Sequence, residues 1–268
     1  MLRVFFSFCV CFLFVLSVMP FTTGCAKDAR GLQHDADVGK IDLGRIDATV
    51  FLPKPPDSAS LLFQYDKDCY EKGKVLRQNP ETARQAAEAA DTHNLPEYFS
   101  EAFGATISKD TLPTLYKLIM RVRKTFGNSA KSLKTVYGRE RPFMLYGDST
   151  CFREGRTTPK TKGSYPSAHS TRGWGVALLL SEINPERAEA ILKRGMDFGQ
   201  YRVICGYHWQ TDVDAGRLLA GALFARLHDN PEFQAELEKA KVEFAGLHNR
   251  PEGEKGKEGT HTKKHTKK

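Results

Sequence analysis

The apolar positions after residue 60 follow a helical period over most of the chain. The clearest run is Leu112, Leu115, Ile119, Val122 and Phe126, whose spacing of three and four residues is typical of an amphipathic α-helix. Few segments alternate apolar and polar residues as a half-buried strand does. The pattern therefore predicts an all-α fold, a single-domain helical bundle without internal repeats.

Helix starts and further helices can also be placed from the sequence. The letters Asn-Pro-Glu occur at residues 79–81, 184–186 and 230–232. Asn can cap exposed amides, Pro fits the first helical turn, and Glu favours the positive end of the helix. Three apolar-rich segments are predicted to be helical, over residues 174–183, 187–201 and 209–227. In the last of these, Gly216, Ala220 and Gly221 are small enough to let a neighbouring helix approach closely.

The first 25 residues have the pattern of a secretory signal. A basic Arg3 precedes an uncharged apolar run, and small residues follow it. The letters TTGC, which end at Cys25, also resemble a bacterial lipoprotein box, although Thr22 stands where Leu is usual. Lipidation of Cys25 and simple cleavage are therefore both open. The chain is expected to be periplasmic or attached to the cell envelope.

Two further segments lie outside the predicted bundle. Residues 26–60 contain PKPP and little apolar periodicity, so we expect an extended lead-in. Residues 249–268 are polar and basic without large apolar side chains, so we expect a disordered tail. The folded domain is then expected over residues 61–248.

Charge and cysteine content narrow the function classes. The formal net charge is +8, but the tail from Arg250 holds one Arg, six Lys and three Glu and so supplies half of it. No nucleic-acid partner is predicted from such a tail. Outside the signal and Cys25, three cysteines remain at Cys69, Cys151 and Cys205, and their pairing stays open. Cys205 is expected to be a buried thiol. No cysteine or histidine spacing of a zinc site occurs, so neither a metal nor another cofactor is expected.

The segment RVICGYHWQTDVDAGR contains Arg202, His208 and Asp212. If the chain is helical from about His208, Asp212 lies one turn further on the same face. A carboxylate bonded to one imidazole nitrogen fixes the tautomer and leaves the other nitrogen as a base, nucleophile or metal ligand. Arg202 offers a fork of donors suited to an oxyanion. Taken alone, the segment also fits a surface His–Asp pair with a solvated Arg and no catalytic role.

Two further segments point to an anion site. KTVYGRERPF supplies the cations Lys134 and Arg141. GSYPSAHSTRGW places Ser167, Ala168 and His169 just before an apolar helix. The unpaired amides and the dipole at a helix N-terminus favour negative charge, and His169 beside them is placed to donate a proton.

In order and spacing, K-x6-RP, PS-x-H and R-x5-H-x3-D resemble the signature of the phosphatidic-acid-phosphatase type 2 (PAP2) superfamily. Within it, four segments of the chain are similar to the class A bacterial non-specific acid phosphatases. They are SYPSAHSTRGW, RVICGYHWQTDVDAGR, the FGATIS stretch and the lead-in PKPPDSASLLFQYDKDCYEKGKVLR. The resemblance covers residues 50 to 228 of the chain. It implies the all-α fold of that family.

The resemblance also implies roles for eight residues. His208 corresponds to the nucleophile that takes the phosphoryl group, Asp212 to the residue that orients it, and His169 to the general acid and base. The phosphate ligands implied by the resemblance are Lys134, Arg141, Ser167, Ala168 and Arg202. Three cations and backbone amides can stabilise the transferring phosphoryl group without a metal.

Two residues depart from the family pattern. Ala168 stands where Gly is usual, and a positive φ there would cost on the order of 1 kcal/mol. Tyr201 stands where Ser is usual, before Arg202, at a position expected to help orient that Arg or the phosphate. Substrate range and turnover depend on both.

The sequence thus predicts an exported acid phosphatase for small phosphate monoesters, with membrane contact only through a lipid on Cys25 and with homo-oligomerisation open. A vanadate-dependent haloperoxidase shares the anion pocket, but the short chain argues against it. A membrane lipid phosphatase is disfavoured because no hydrophobic span follows the signal. A phosphate- or phospholigand-binding envelope protein with little turnover also stays open.

Overall fold

The computed structural model describes residues 38–44, 46–151 and 163–248. Within these ranges the chain forms nine α-helices and no strand, which confirms the all-α prediction. The helices are α1 (Leu61–Leu76), α2 (Pro80–Glu88), α3 (Leu95–Phe103), α4 (Pro113–Tyr137), α5 (Pro142–Tyr146), α6 (Ala168–Ile183), α7 (Ala188–Ile204), α8 (Gln210–Leu227) and α9 (Pro231–His248). The predicted signal with Cys25 and the predicted tail lie outside the described residues.

Helix α6 lies at the centre of the bundle and packs against α4, α7 and α8. Most of its residues are buried, because it is packed on several sides. Its buried side chains include Val176, Leu179, Leu180 and Ile183. Helix α9 covers α4, and α1 packs against α7 and α8. Among the described helices, none is long and apolar enough to span a bilayer.

Two of the three predicted helix starts are confirmed. The side chains of Asn79 and Asn230 accept hydrogen bonds from amides in the first turns of α2 and α9. Asn184 behaves differently, because its side chain donates to the carbonyl of Phe103 at the end of α3. A 3₁₀ turn follows Asn184, and α7 begins only at Ala188. The prediction of a capped helix start is therefore wrong at Asn184.

A close helix contact positions the N-terminus of α6. A Cβ added at Gly216 on α8 would lie 2.7 Å from the carbonyl oxygen of Ser167, so only Gly allows this approach. Ala220 is fully buried as expected. Gly221 faces open space, so the prediction of a close approach there is wrong.

A disulfide joins Cys151 to Cys205, and Cys69 is a free thiol. Cys205 is buried as expected, but the expectation of a thiol is corrected. It follows the last residue of α7, where its Cα lies 5.0 Å from that of Cys151, within the range that disulfides bridge. The bond holds the loop after α5 against the end of α7, close to Arg202.

Candidate active site

A cavity of about 660 Å³ opens between the C-terminal part of α4, the N-terminus of α6 and the junction of α7 with α8. Six of the eight predicted site residues line it, namely Lys134, Arg141, Ala168, His169, Arg202 and His208. The other two, Ser167 and Asp212, lie behind the cavity wall and are fully buried. The fold therefore brings three sequence-distant segments to one place.

His208 presents one ring nitrogen to the cavity and the other to the protein interior. Its Nε2 lies 3.1 Å from Nη1 of Arg141, and its Nδ1 lies 3.2 Å from Oδ2 of Asp212. A guanidinium can only donate, so Nε2 accepts and the proton of a neutral His208 sits on Nδ1. The lone pair of Nε2 therefore accepts the N–H of Arg141 at the cavity wall, which both residues line.

Asp212 is held by donors from several elements. Helix α8 begins at Gln210, one residue after the start of the predicted segment 209–227, with Trp209 as its N-cap residue. The amide of Trp209 donates to Oδ2 of Asp212 at 2.9 Å. The hydroxyl of Ser164 donates a short hydrogen bond to the same oxygen. This carboxylate therefore has a fixed orientation toward His208.

A buried ion pair network continues behind Asp212. Nη1 of Arg139 lies 2.7 Å from Oδ1 of Asp212, and Nη2 lies 2.6 Å from Oδ2 of Asp66 on α1. The amide and hydroxyl of Thr211 also donate to Asp66. Sequence reasoning missed Asp66, Arg139 and Ser164. Arg139 stands in the segment GRERPF, but no sequence signal places Asp66 beside it.

The cations on the cavity side are fixed by carbonyls and by an aromatic ring. Nζ of Lys134 donates to the carbonyls of Gly163 and Pro166, each at 2.8 Å. Arg141 donates to the carbonyl of Tyr207 at 3.0 Å. The guanidinium groups of Arg141 and Arg202 lie 4.4 and 4.2 Å from the centre of the Tyr207 ring.

Burial and mutual repulsion lower the pKa values of these groups. Burial, followed by the neighbouring Arg141, lowers the pKa of Lys134 to about 7. Burial lowers the pKa of Arg202 to about 9. Burial and then Arg141 and Lys134 hold the pKa of His208 well below its ordinary value. The cavity therefore favours an anion and disfavours further protons.

His169 is the second residue of α6, and its ring stacks on Phe198 with 4.0 Å between ring centres. Gly173 makes this possible, because a Cβ there would overlap the Phe198 ring. Among the described residues, buried Nε2 of His169 has no hydrogen-bond partner. Burial, then Arg202 and Arg172, lower the pKa of His169 well below its ordinary value.

The structure gives Ser167, Ala168 and Tyr201 surroundings that differ from those expected. Ser167 caps α6 by accepting from the amide of Ser170 at 3.2 Å, and it does not line the cavity. Ala168 is a regular helical residue, since no non-glycine residue among those described has a positive φ. The strain considered for Ala168 is therefore absent. Tyr201 donates to Gln85 on α2 and does not line the cavity, so it does not orient Arg202 through its hydroxyl.

Two basic residues that sequence reasoning did not single out, Lys131 and Arg172, also line the cavity. Arg172 stands three residues after His169, within the segment GSYPSAHSTRGW, but its position on the cavity wall depends on how α6 packs against α4. The described residues contain no group of three or more His, Cys, Asp or Glu side chains that could hold a metal ion.

The profile of the PAP2 superfamily matches residues 115–232. The non-specific acid phosphatase of Providencia stuartii is 49% identical over 205 residues, which cover 75% of this chain and 82% of that protein. The chain belongs to the class A non-specific acid phosphatases of the PAP2 superfamily. The non-specific acid phosphatase of Salmonella typhimurium is 41% identical over 207 residues, covering 76% of this chain and 82% of that protein. The acid phosphatase of Zymomonas mobilis is 34% identical over 200 residues, covering 74% and 75%.

All eight predicted site residues of this acid phosphatase family member lie within the matched range, as do Lys131, Arg139 and Arg172. Asp66, which anchors Arg139, lies outside the superfamily match but inside the described fold.

Proposed function

We propose that this chain is an exported acid phosphatase that hydrolyses small phosphate monoesters through a phosphohistidine intermediate on His208, without a metal or other cofactor. One observation carries the proposal. Nδ1 of His208 faces the carboxylate of Asp212, while Nε2 faces Arg141 in a cavity lined by cations. An imidazole held in this way keeps its proton on Nδ1, and the lone pair of Nε2 becomes free to attack once the guanidinium of Arg141 donates to a bound phosphate instead.

In the first step, Lys134, Arg141 and Arg202 bind the phosphate oxygens and stabilise their negative charge. Nε2 of His208 forms a bond to phosphorus as the bond from phosphorus to the alcohol oxygen breaks. The leaving oxygen takes a proton from Nε2 of His169. Asp212 stabilises the positive charge that develops on the His208 ring.

In the second step, Nε2 of His169 accepts a proton from water as that water forms a bond to phosphorus. The bond between phosphorus and Nε2 of His208 breaks, and inorganic phosphate leaves. His208 regains its lone pair and His169 its proton, so the enzyme returns to its starting state.

The protonation states explain why an acidic optimum is expected. In the ligand-free cavity, burial and nearby cations hold the pKa of His169 below its ordinary value. A bound phosphate dianion opposes those cations and raises the pKa of His169. Substrate binding and acidic pH therefore both favour the protonated His169 that the leaving alcohol needs.

Hydrolysis is expected to survive chelators, because side-chain cations meet the charge of the phosphate. We would measure hydrolysis of p-nitrophenyl phosphate before and after treatment with EDTA. Vanadate is expected to inhibit, since its five-coordinate form resembles the transition state. Activity that is lost with EDTA and restored by a divalent ion would contradict the metal-independent mechanism.

Export rests on the signal-like pattern of residues 1–25, and the Cys151–Cys205 disulfide is typical of oxidising compartments. Fractionation of a bacterial host that expresses the full chain tests it. Activity released with the periplasm indicates cleavage, whereas activity in the membrane fraction that Cys25→Ser releases indicates lipidation. Activity confined to the cytoplasm would contradict export.

The test of the chemistry is quenching of the enzyme with phosphorus-labelled substrate in alkaline denaturant, because a phosphohistidine is stable in base. We expect an acid-labile label on His208, and transfer of phosphate to added alcohols in competition with water. A chain that binds phosphate but hydrolyses no monoester would instead be a phosphate-binding protein.

A further inference from the structure

The cavity holds more positive charge than one phosphate requires. Beside Lys134, Arg141 and Arg202, it is lined by Lys131 and Arg172. No Asp or Glu occurs among its described lining residues. We call Lys131 and Arg172 the second cationic subsite.

This subsite lies on the same two helices as the catalytic groups, displaced along both. On α4, Lys131 lies one turn before Lys134, and on α6, Arg172 lies one turn after His169. The helices run antiparallel, because Lys134 contacts Pro166 before α6 while Gly127, earlier on α4, faces Arg172. Lys131 is therefore displaced from Lys134 in the same direction as Arg172 is from His169, by about 5 Å along the helix axes.

Arg172 has a specific place in the packing of α6 on α4. A Cβ at Gly127 would overlap the Arg172 guanidinium, so the absence of a side chain at Gly127 gives that group its position. Arg172 is largely buried, and its Nε has no hydrogen-bond partner among the described residues. Lys131 stands exposed at the rim of the cavity. Within the described part of the chain, neither residue pairs with a carboxylate.

Buried cations in proteins are normally paired, since an uncompensated charge away from water is unfavourable. Burial lowers the pKa of Arg172 to about 10, so it is still charged at neutral and acidic pH. Burial, then Arg172 and Arg123, lower the pKa of Lys131. An anion placed between Arg172 and Lys131 would relieve all of these effects.

We propose that Lys131 and Arg172 bind a second oxyanion of the substrate, one helical turn from the phosphate that is cleaved. The enzyme would then prefer monoesters that carry another phosphate on a neighbouring carbon atom, because two such phosphates can span this distance. The proposal rests on the proposed phosphatase function, and it names the substrate class of the same cavity.

The test uses four two-carbon or three-carbon phosphate monoesters that differ in one group. They are 2-aminoethyl phosphate, 2-hydroxyethyl phosphate, 3-phosphooxypropanoate and ethane-1,2-diyl bisphosphate. We expect kcat/KM to rise from ammonium through hydroxyl and carboxylate to phosphate in the wild type. Dividing each value by that for the hydroxyl compound, in the same variant, removes general effects on catalysis.

Arg172→Gln should reduce the bisphosphate ratio by about tenfold to a hundredfold, the usual range for losing a hydrogen bond to a charged group. Gly127→Ala should reduce it similarly, because the new Cβ displaces the guanidinium while keeping its charge. Arg84→Gln, which removes an exposed Arg paired with Glu81 and Glu88 on α2, is the matched control and should leave the ratio unchanged. An unchanged ratio in both Arg172→Gln and Gly127→Ala, or an equal loss on all four substrates, would overturn the proposal.

A binding measurement separates this proposal from the proposed function. Calorimetry compares ethane-1,2-diphosphonate with ethylphosphonate, neither of which can be hydrolysed at a P–C bond by this chemistry. The diphosphonate should bind the wild type more tightly, and Arg172→Gln should remove that advantage. If no monoester is hydrolysed, the proposed function fails while this comparison still decides the subsite. If monoesters are hydrolysed but the two phosphonates bind equally, only the subsite fails.

Discussion

Arg139 and Arg172 both lie largely buried near one of the two histidines that we propose to be catalytic, yet their surroundings are opposite. Arg139, behind His208, contacts the carboxylates of Asp66 and Asp212 at 2.6 and 2.7 Å. Arg172, near His169, has no carboxylate partner among the described residues and faces the cavity. The charges behind His208 are therefore paired and fix the geometry there, whereas the cations on the cavity side have no carboxylate lining the cavity and favour anions.

This difference in charge pairing also accounts for the different protonation of His208 and His169. Asp212 faces the protonated Nδ1 of His208, so Nε2 is the nitrogen for the proposed attack. His169 stacks on Phe198 and has a backbone hydrogen bond with Ala89, while burial and the cations Arg202 and Arg172 keep its pKa low until a phosphate binds. The ion pairs behind His208 fix the orientation of its ring. The cavity cations make the protonation of His169 depend on a bound phosphate.

The largest expected effect is that of replacing His208, the proposed nucleophile. His208→Ala should lower kcat for p-nitrophenyl phosphate on the order of 10⁴-fold or more, and it should abolish the label trapped by the alkaline quench. Asp212→Asn should cause a smaller loss, because the nucleophile remains with its ring less firmly oriented. Steady-state kinetics and quench labelling of both variants check this. Equal losses would mean that the paired side does more than orient His208.

His169→Ala should affect substrates according to their leaving group. An alkyl phosphate needs a proton on its departing oxygen and should lose about 10²–10⁴-fold in kcat, the usual range for general acid catalysis. p-Nitrophenyl phosphate should lose much less, because nitrophenolate leaves without a proton. Both substrates should be followed from pH 4 to 8. The same loss on both, with an unchanged pH profile, would show that His169 only shapes the cavity.

The next prediction compares the two arginines directly through stability. Arg139→Met leaves the fully buried Asp66 and Asp212 without their cation and should lower the free energy of unfolding by about 3–5 kcal/mol. Arg172→Met removes a cation that has no carboxylate partner among the described residues, so it should change that free energy by less than about 1 kcal/mol. Urea unfolding of both variants in phosphate-free buffer measures the difference. Similar losses in the two would contradict the assignment of paired and unpaired regions.

The sequence predicted many of the cavity-lining residues and few of the residues in the ion-pair network behind His208. Periodicity predicted the helical fold. The three motifs contained the six predicted site residues that line the cavity, because each motif is local, whereas Lys131 lies outside them. The pairing of Arg139 with Asp66 joins residues 73 positions apart and depends on where α1 packs. The Gly127–Arg172 contact likewise exists only once α4 and α6 are packed together.

The same distinction explains the errors in the helix and cysteine predictions. Asn79 and Asn230 cap their own helices, a local interaction that the letters Asn-Pro-Glu predict. Asn184 carries the same letters, but its side chain binds a carbonyl on α3, which no local pattern reveals. The Cys151–Cys205 bond also follows from tertiary position.

The smallest effect predicted here concerns the pH dependence of anion binding through Lys134. Its pKa of about 7 in the ligand-free cavity results first from burial and then from Arg141. A bound anion raises that pKa, so above pH 7 binding must take up a proton and affinity falls as pH rises, by up to about tenfold per pH unit. Sulfate is the suitable probe because its own charge is constant over this range.

Calorimetry with sulfate between pH 6 and 8 in the wild type and in Lys134→Arg isolates this group. Arg202, with a pKa of about 9, stays charged over that range, and His208 and His169, with lowered pKa values, start neutral. The variant keeps its cation above pH 7 and should lose most of the slope while still binding sulfate. If the wild type shows no slope, Lys134 does not titrate there. If both proteins show the same slope, the proton is taken up by a histidine, and the pH dependence belongs to the catalytic pair instead.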